Sequence, residues 1–292
     1  MKVLLTGADG QLGCEILRTA PATFELTGCR LSDLDITDVG SVDRKVAELE
    51  PDLIVNAAAY TAVDRAEQER DLAFQVNAEG ARNVGRAAVR QGSRVLHIST
   101  DFVFDGAQSR PYQPLDTPNP QSVYGSSKRR GEEYVLEATN GAALILRTAW
   151  LYSSFGSNFV TAMLKRMNNR QNLEIVADQI GTPTWAKGLA VAIWQAAASS
   201  DLRGLHHWTD AGVASWYDFA VAIQEEALSC HLLDRPVEIR PIATRDYPTP
   251  AIRPQYSVLD KTMTWSQLAI RPPHWRIALR SMLAELGEPD HA

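Results

Sequence analysis

Short apolar runs alternate with longer amphipathic ones through the first half of the chain. The runs at 2–6, 25–29, 52–56, 94–99 and 143–148 have the length of strands, and runs of this kind suit strands buried on both faces. Between them, 11–19, 41–50, 71–91 and 124–138 carry apolar residues at helical spacing. Strand–helix alternation predicts parallel βαβ units with helices on both faces. After Thr148 the rhythm weakens. Helices are expected at 158–169, within 183–199, at 215–230 and at 273–286, and strands at 173–176 and 204–208. Pro241, Pro248, Pro250 and Pro254 make 241–254 a rigid irregular segment, and 107–122 reads as a loop over a site. The expected fold is α/β, a Rossmann-type doubly wound parallel sheet with a smaller, irregular α/β substrate-binding lobe. The expected division is 1–150 plus about 172–203 for a dinucleotide-binding domain, and about 151–171 plus 204–292 for the substrate-binding domain.

Three motifs fall at the ends of the predicted strands. The first run leads into Gly7-Ala8-Asp9-Gly10-Gln11-Leu12-Gly13. A strand, a glycine turn and a helix start form an anion site, because bare backbone and free N–H groups can approach a pyrophosphate. Gly7, Gly10 and Gly13, with Gln11 and Leu12 at the helix start, are therefore candidate cofactor contacts, although the spacing is G-x-x-G-x-x-G and not G-x-G-x-x-G. The third run ends in Ala57-Ala58-Ala59, small side chains that let a flat ligand lie on the backbone at the sheet edge where open α/β folds bind. The fourth run ends in Ser99-Thr100-Asp101, followed downstream by Tyr124-Gly125-Ser126-Ser127-Lys128. Tyr124 and Lys128 share a helix face with a rise of roughly 6 Å between them. Forming a free tyrosinate at neutral pH costs roughly 4 kcal/mol. A neighbouring ammonium is expected to lower that cost and make Tyr124 a usable acid/base.

Composition narrows the setting. Over 292 residues the net charge is −6 with no basic run, so a nucleic-acid surface is not expected. No apolar stretch reaches the roughly 18 residues needed to span a membrane. The first predicted strand opens the sequence and leaves no room for a signal peptide ahead of it, and Cys14, Cys29 and Cys230 have no metal spacing; a cytoplasmic enzyme is expected.

Taken together, G-A-D-G-Q-L-G, N-A-A-A-Y-T-A-V-D, S-T-D-F-V-F-D-G, Y-G-S-S-K and Y-P-T-P-A-I-R-P resemble the extended short-chain dehydrogenases/reductases, and more narrowly the dTDP-4-dehydrorhamnose reductases among them. The resemblance runs over nearly the whole chain. It implies reduction of the C4 keto group of a dTDP-linked 4-keto-6-deoxy sugar by hydride from a nicotinamide. The expected catalytic set is Thr100, Tyr124 and Lys128: Tyr124 gives the proton, Thr100 bonds the same oxygen, and Lys128 holds the nicotinamide ribose. Related dehydratases carry Thr-Asp-Glu where this chain has Thr100-Asp101-Phe102, so an elimination lacks its second carboxyl and plain carbonyl reduction is left. Asp101 is then expected to orient the loop or a substrate hydroxyl.

The resemblance places Trp150 against the sugar, although a tryptophan there could instead be core. Arg253 could clamp the diphosphate bidentately or be a surface arginine. Asn77 could anchor site backbone or simply pack its helix. Arg30, after the second strand, favours NADPH over NADH by offering a 2′-phosphate partner, with Asp33 and Asp35 complicating the choice. Asp35-Ile36 resembles the family's adenine-edge pair. Some members use Mg²⁺, partly at a dimer contact; Glu15 fits that pattern, while Lys187 stands where a carboxylate would be expected. The partner is a small nucleotide sugar, with a homodimer open. A reductase of another nucleotide-deoxysugar and a non-catalytic NADP-binding regulatory subunit are the alternatives.

Overall fold

Alternate side chains of a strand point to opposite faces of its sheet, and in the central strands of this sheet both faces are apolar. The computed structural model describes residues 1–169, 172–199 and 201–287. The first half runs β1 (Lys2–Thr6), α1 (Gln11–Arg18), β2 (Glu25–Cys29), α2 (Val39–Leu49), β3 (Leu53–Asn56), α3 (Val63–Ala66), α4 (Arg70–Phe74), a π-helical turn Gln75–Gly80, α5 (Ala81–Gln91), β4 (Arg94–Thr100), a 3₁₀ turn Asp101–Val103, α6 (Val123–Ala138) and β5 (Leu144–Thr148). It continues with β6 (Leu151–Tyr152), α7 (Phe159–Asn169), β7 (Asn172–Val176), β8 (Ile180–Gly181), β9 (Thr184–Trp185), α8 (Ala186–Ala198), β10 (Gly204–His207), β11 (Ala214–Ser215), α9 (Trp216–Ser229), β12 (Glu238–Ile242), α10 (Thr262–Leu268) and α11 (Trp275–Gly287).

The large sheet has the order β10-β5-β4-β3-β1-β2, parallel throughout. Val3, Leu5, Val55, Leu96 and Leu146 face one core with α1 and α8, while Leu4, Ile54, Val95 and Ile145 face a second with α2 and α5. That two-sided burial is the doubly wound arrangement expected from the alternation. A third core, built from Tyr152, Met163, Leu173, Phe219, Ile223, Trp275 and Leu279, belongs to the elements after β5.

The structure departs from the sequence expectations at several points, the short β6, β8, β9, β11 and α3 among them. The single helix expected over 71–91 is broken by the π-helical turn, a form often found at functional sites. α10 was not foreseen. β12 takes in Pro241, tolerated because this strand pairs only with β7 and a proline at a sheet edge forfeits no second ladder bond. The division of the chain had put 172–203 with the large sheet and 204–292 outside it; the pairing places 172–176 against β12 and 204–207 beside β5.

One buried ion pair fastens the layers around the future site. Arg147 on β5 meets Glu132 on α6 through Nε–Oε1 at 2.8 Å and Nη2–Oε2 at 2.7 Å. Its Nη1 donates to the Pro114 carbonyl at 3.0 Å, and its guanidinium lies 5.0 Å from the Phe104 ring centre. Strand, helix and the 104–122 loop are thus held by one side chain, 1 % exposed. Breaking such a pair from one side strands a buried charge. Arg147→Met is expected to cost about 3–5 kcal/mol in denaturant unfolding, whereas the paired Glu132→Leu/Arg147→Leu change should cost clearly less.

Candidate active site

The glycine turn is shaped by what it touches. Gly7 has φ +70°, and a Cβ there would sit 2.7 Å from the Ala58 nitrogen. A Cβ on Gly13 would lie 2.1 Å from the Gly7 carbonyl oxygen. The β1–α1 turn is therefore bare backbone pressed against the Ala57–Ala58 edge, with Gly10 capping α1 without a side-chain bond. Gln11 opens the helix and Leu12 anchors it in the core. Uncapped N–H groups over a side-chain-free edge fit a pyrophosphate. Beyond β2, Asp33 accepts from the Arg30 backbone amide at 3.0 Å, and Asp35 accepts from the Thr37 amide and hydroxyl, both at 2.8 Å. Both acids are engaged locally, and the Arg30 side chain is exposed. Ile36 is buried against Gly80.

The expected catalytic groups converge at the end of β4. Thr100 closes the strand, and Ser122 caps α6 by accepting from the Gly125 amide at 3.1 Å. A Cβ on Gly125 would lie 2.2 Å from the Phe102 carbonyl oxygen, so only glycine lets α6 approach this turn. The approach sets the Tyr124 ring 5.5 Å from the Phe102 ring and its phenol within hydrogen-bonding reach of the Thr100 hydroxyl. Tyr124 as a residue is half-buried, but its phenol end sits deep enough for burial to push it up to about 12, against the pull of Thr100 and with a further push from Asp101.

Lys128 reaches back to the strand that carries Thr100. It is buried, and its Nζ donates to the Ile98 carbonyl at 2.7 Å. Burial lowers it to about 8, with Glu132 one turn along pulling the other way. The groups that set Tyr124 are its own burial, Thr100 and Asp101. Desolvation of the phenol outweighs any distant cation. The result is a tyrosine that holds its proton at neutral pH, the form an acid needs.

Asp101 is buried, which raises it to about 6 against the Ser257 and Thr100 hydroxyls. Its Oδ1 accepts from Thr100 at 3.0 Å, while its Oδ2 and the buried Ser99 hydroxyl have no partner among the described residues. Asn77, in the π-helical turn, donates to the Tyr60 carbonyl and to Ser127, both at 3.0 Å, and accepts from the Tyr60 amide at 2.8 Å. Of its two roles left open by sequence, the anchoring one is seen: it ties the chain after Ala59 to the catalytic helix.

The substrate candidates lie further along. Trp150 has φ +46° and stacks on Trp216 at 3.6 Å and 4°, wedged against Gly181, so it is neither free nor simply core. Arg253 borders two cavities of about 270 and 450 Å³ that share Gln179, Tyr247 and Thr249. Its guanidinium is already engaged, with Nη1 and Nη2 meeting the Asp64 oxygens at 3.0 and 2.7 Å. Asp64, Tyr247 and Thr249 belong to the N-A-A-A-Y-T-A-V-D and Y-P-T-P-A-I-R-P motifs, which mark their neighbourhood but give them no role of their own. Trp216 and Gln179, joined by a 3.1 Å bond, had no signal at all, because they meet only through the fold.

Glu15 does not fit a metal. It is fully buried, and its oxygens accept from Ser153 at 2.7 Å and from Arg18 at 2.7 and 3.0 Å. Arg18 continues to Glu285 at 2.7 Å, and Lys187 pairs with the same Glu285. Two side-chain cations already neutralise these carboxylates, and among the described residues no cluster of three or more His, Cys, Asp or Glu could hold a metal ion.

A profile of the RmlD substrate binding domain matches residues 1–288. The chain belongs to the RmlD family. The dTDP-4-dehydrorhamnose reductase of Aggregatibacter actinomycetemcomitans is 40 % identical over 290 residues, covering 97 % of this chain and 98 % of that protein. The crystal structure of dTDP-4-dehydrorhamnose reductase from Bacillus anthracis in complex with NADP superposes with a TM-score of 0.91 at 36 % identity, over 97 % of this chain and 99 % of that one. A Clostridium acetobutylicum structure named as the same reductase gives a TM-score of 0.92 at 39 % identity, over 99 % and 100 %. RmlD-family membership leaves the Glu15 contacts as a property of this chain's own residues. Adding MgCl₂ in the millimolar range should therefore leave Tm unchanged, since a ligand that binds only the folded state would raise it.

Proposed function

We propose that this chain reduces the C4 keto group of dTDP-4-dehydro-L-rhamnose to give dTDP-L-rhamnose, using NADPH. The observation that carries the proposal is the junction at the end of β4. There the Tyr124 phenol lies within hydrogen-bonding reach of the Thr100 hydroxyl, and Phe102 occupies the position where related dehydratases carry a second carboxyl. Membership of a family whose relatives bear this reductase's name, one of them solved with NADP, supports the same reading.

Gly7, Gly10, Gln11, Leu12, Gly13 and Ala57–Ala59 would hold the dinucleotide, with Asp35 and Ile36 at its adenine edge, Ser99 beneath its redox end and Arg30 on the 2′-phosphate. The nicotinamide supplies the hydride when bound. The chain's own residues do the rest. Tyr124 delivers its proton to the developing alkoxide, and Thr100, whose one proton points to Asp101 Oδ1 in this structure, would turn it to the same oxygen. Donors fixed in advance toward growing negative charge are worth a few kcal/mol each. Lys128, fixed by the Ile98 carbonyl, would hold the nicotinamide ribose. Asp101 orients Thr100 through their 3.0 Å bond. The adjoining cavities at Gln179, Tyr247, Thr249 and Arg253 would take the nucleotide sugar, with Trp216 on their wall and Trp150 stacked against Trp216. We assign cofactor binding to the large-sheet lobe and the nucleotide sugar to the elements after β5.

Purified protein should oxidise NADPH stoichiometrically with dTDP-4-dehydro-L-rhamnose and faster than with other nucleotide 4-keto-deoxysugars; equal rates across such a panel would remove the sugar assignment. Tyr124→Phe should keep NADPH binding and lose roughly 100- to 10,000-fold in turnover. Arg30→Ala should weaken NADPH about tenfold or more in Kd while leaving NADH nearly unchanged; equal losses would reject the 2′-phosphate role.

A further inference from the structure

The segment 63–67 is short, yet it touches two distant parts of the chain, α6 and the proline-rich segment. On one side, Glu67 accepts from the Val123 amide at 2.8 Å, at the first residue of the catalytic helix. Ala66 is buried in the same small cluster as Val123 and Tyr124. On the other side, Asp64 grips the proline-rich segment at two points. Its oxygens take the Arg253 Nη1 and Nη2 at 3.0 and 2.7 Å, and its Oδ1 accepts from the Ala251 amide at 3.2 Å. Thr249 and Arg253, which flank that amide, line both cavities. Arg253 also donates back to the Ala251 carbonyl at 3.3 Å, closing the arrangement on itself.

From this geometry we propose that Asp64 is a positioning residue: it holds Arg253 in advance for the diphosphate of the nucleotide sugar. The proposal rests on the reading of Arg253 as the diphosphate ligand. An unheld arginine must surrender rotamer freedom when it binds. A planar carboxylate fork takes that loss at folding, so the ligand does not meet it again on binding. The cost is charge. Asp64 neutralises part of the field that would draw an anion in, so the residue trades attraction for orientation. Arg253 in turn holds the Asp64 carboxyl below the usual carboxylate range, which keeps the pair intact at neutral pH. The Asp64 and Arg253 side chains are 40 % and 24 % exposed, so the pair is open enough to be altered without unfolding the chain.

The test compares Asp64→Asn, Arg253→Ala and the double variant in steady-state kinetics, with the Kd of dTDP as the diphosphate probe and the Kd of NADPH as the control. Asp64→Asn is expected to raise KM for the sugar nucleotide and the Kd of dTDP about three- to fivefold, the scale of a partly exposed ion pair. Its kcat should stay within twofold, with NADPH binding and Tm unchanged. In the Arg253→Ala background the Asp64→Asn change should add nothing. An unchanged or lower KM in Asp64→Asn, beside a raised KM in Arg253→Ala, would overturn the proposal and make Asp64 a bystander or a competitor for the guanidinium. If Arg253→Ala itself left KM and dTDP binding untouched, the diphosphate reading would fail first. Equal losses of kcat, NADPH binding and Tm in Asp64→Asn would mark a merely structural role.

Discussion

Helix α6 can lie where it does because two of its residues have no Cβ. Gly125 lets α6 meet the Phe102 carbonyl, and Gly131 lets it meet the Asn77 carbonyl, where a Cβ would come within 2.2 and 2.1 Å of oxygen. Those two contacts bring the end of β4, the π-helical turn and α6 into one rigid corner. A bulkier residue at either place would move Tyr124 off Thr100, and a misplacement of about 1 Å at such a site can cost about a hundredfold in rate.

Burial then decides the chemistry at that corner. The same desolvation raises Tyr124 to about 12, lowers Lys128 to about 8 and lifts Asp101 to about 6. Each shift favours the neutral form of its group. A neutral phenol is the proton donor that ketone reduction calls for. Lys128 secures Ile98 and Asp101 secures Thr100, so the neighbours act through geometry more than through field. The buried Glu132–Arg147 pair extends the corner into the loop at Pro114, and the bond from Glu67 to Val123 extends it to Asp64 and Arg253.

The second half of the chain is joined to the first by aromatic and ionic contacts of long sequence range. Trp150, at the end of β5, stacks on Trp216, whose indole N–H meets Gln179 beside the cavities. Its positive φ turns the chain out of the large sheet just after β5. Lys187 and Arg18 share Glu285 on the last helix, so α1, α8 and α11 are bound by charges belonging to the chain itself.

Periodicity alone determined the five leading strands of the large sheet and the helices between them, because each must bury apolar residues at its own repeat. Local chemistry also marked the glycine turn, the Ala57–Ala59 edge and the Tyr124–Lys128 spacing. None of these depends on where distant segments go. What only the tertiary structure decided is everything set by meeting partners: that Lys128 turns to Ile98, that Glu15 is closed off by Arg18 and Ser153, that β10 returns to the large sheet, and that Asp64 holds Arg253. Spacing along a chain fixes which face a side chain shares, whereas charge, burial and reach are fixed by atoms that may lie two hundred residues away, and those become neighbours only when the cores close.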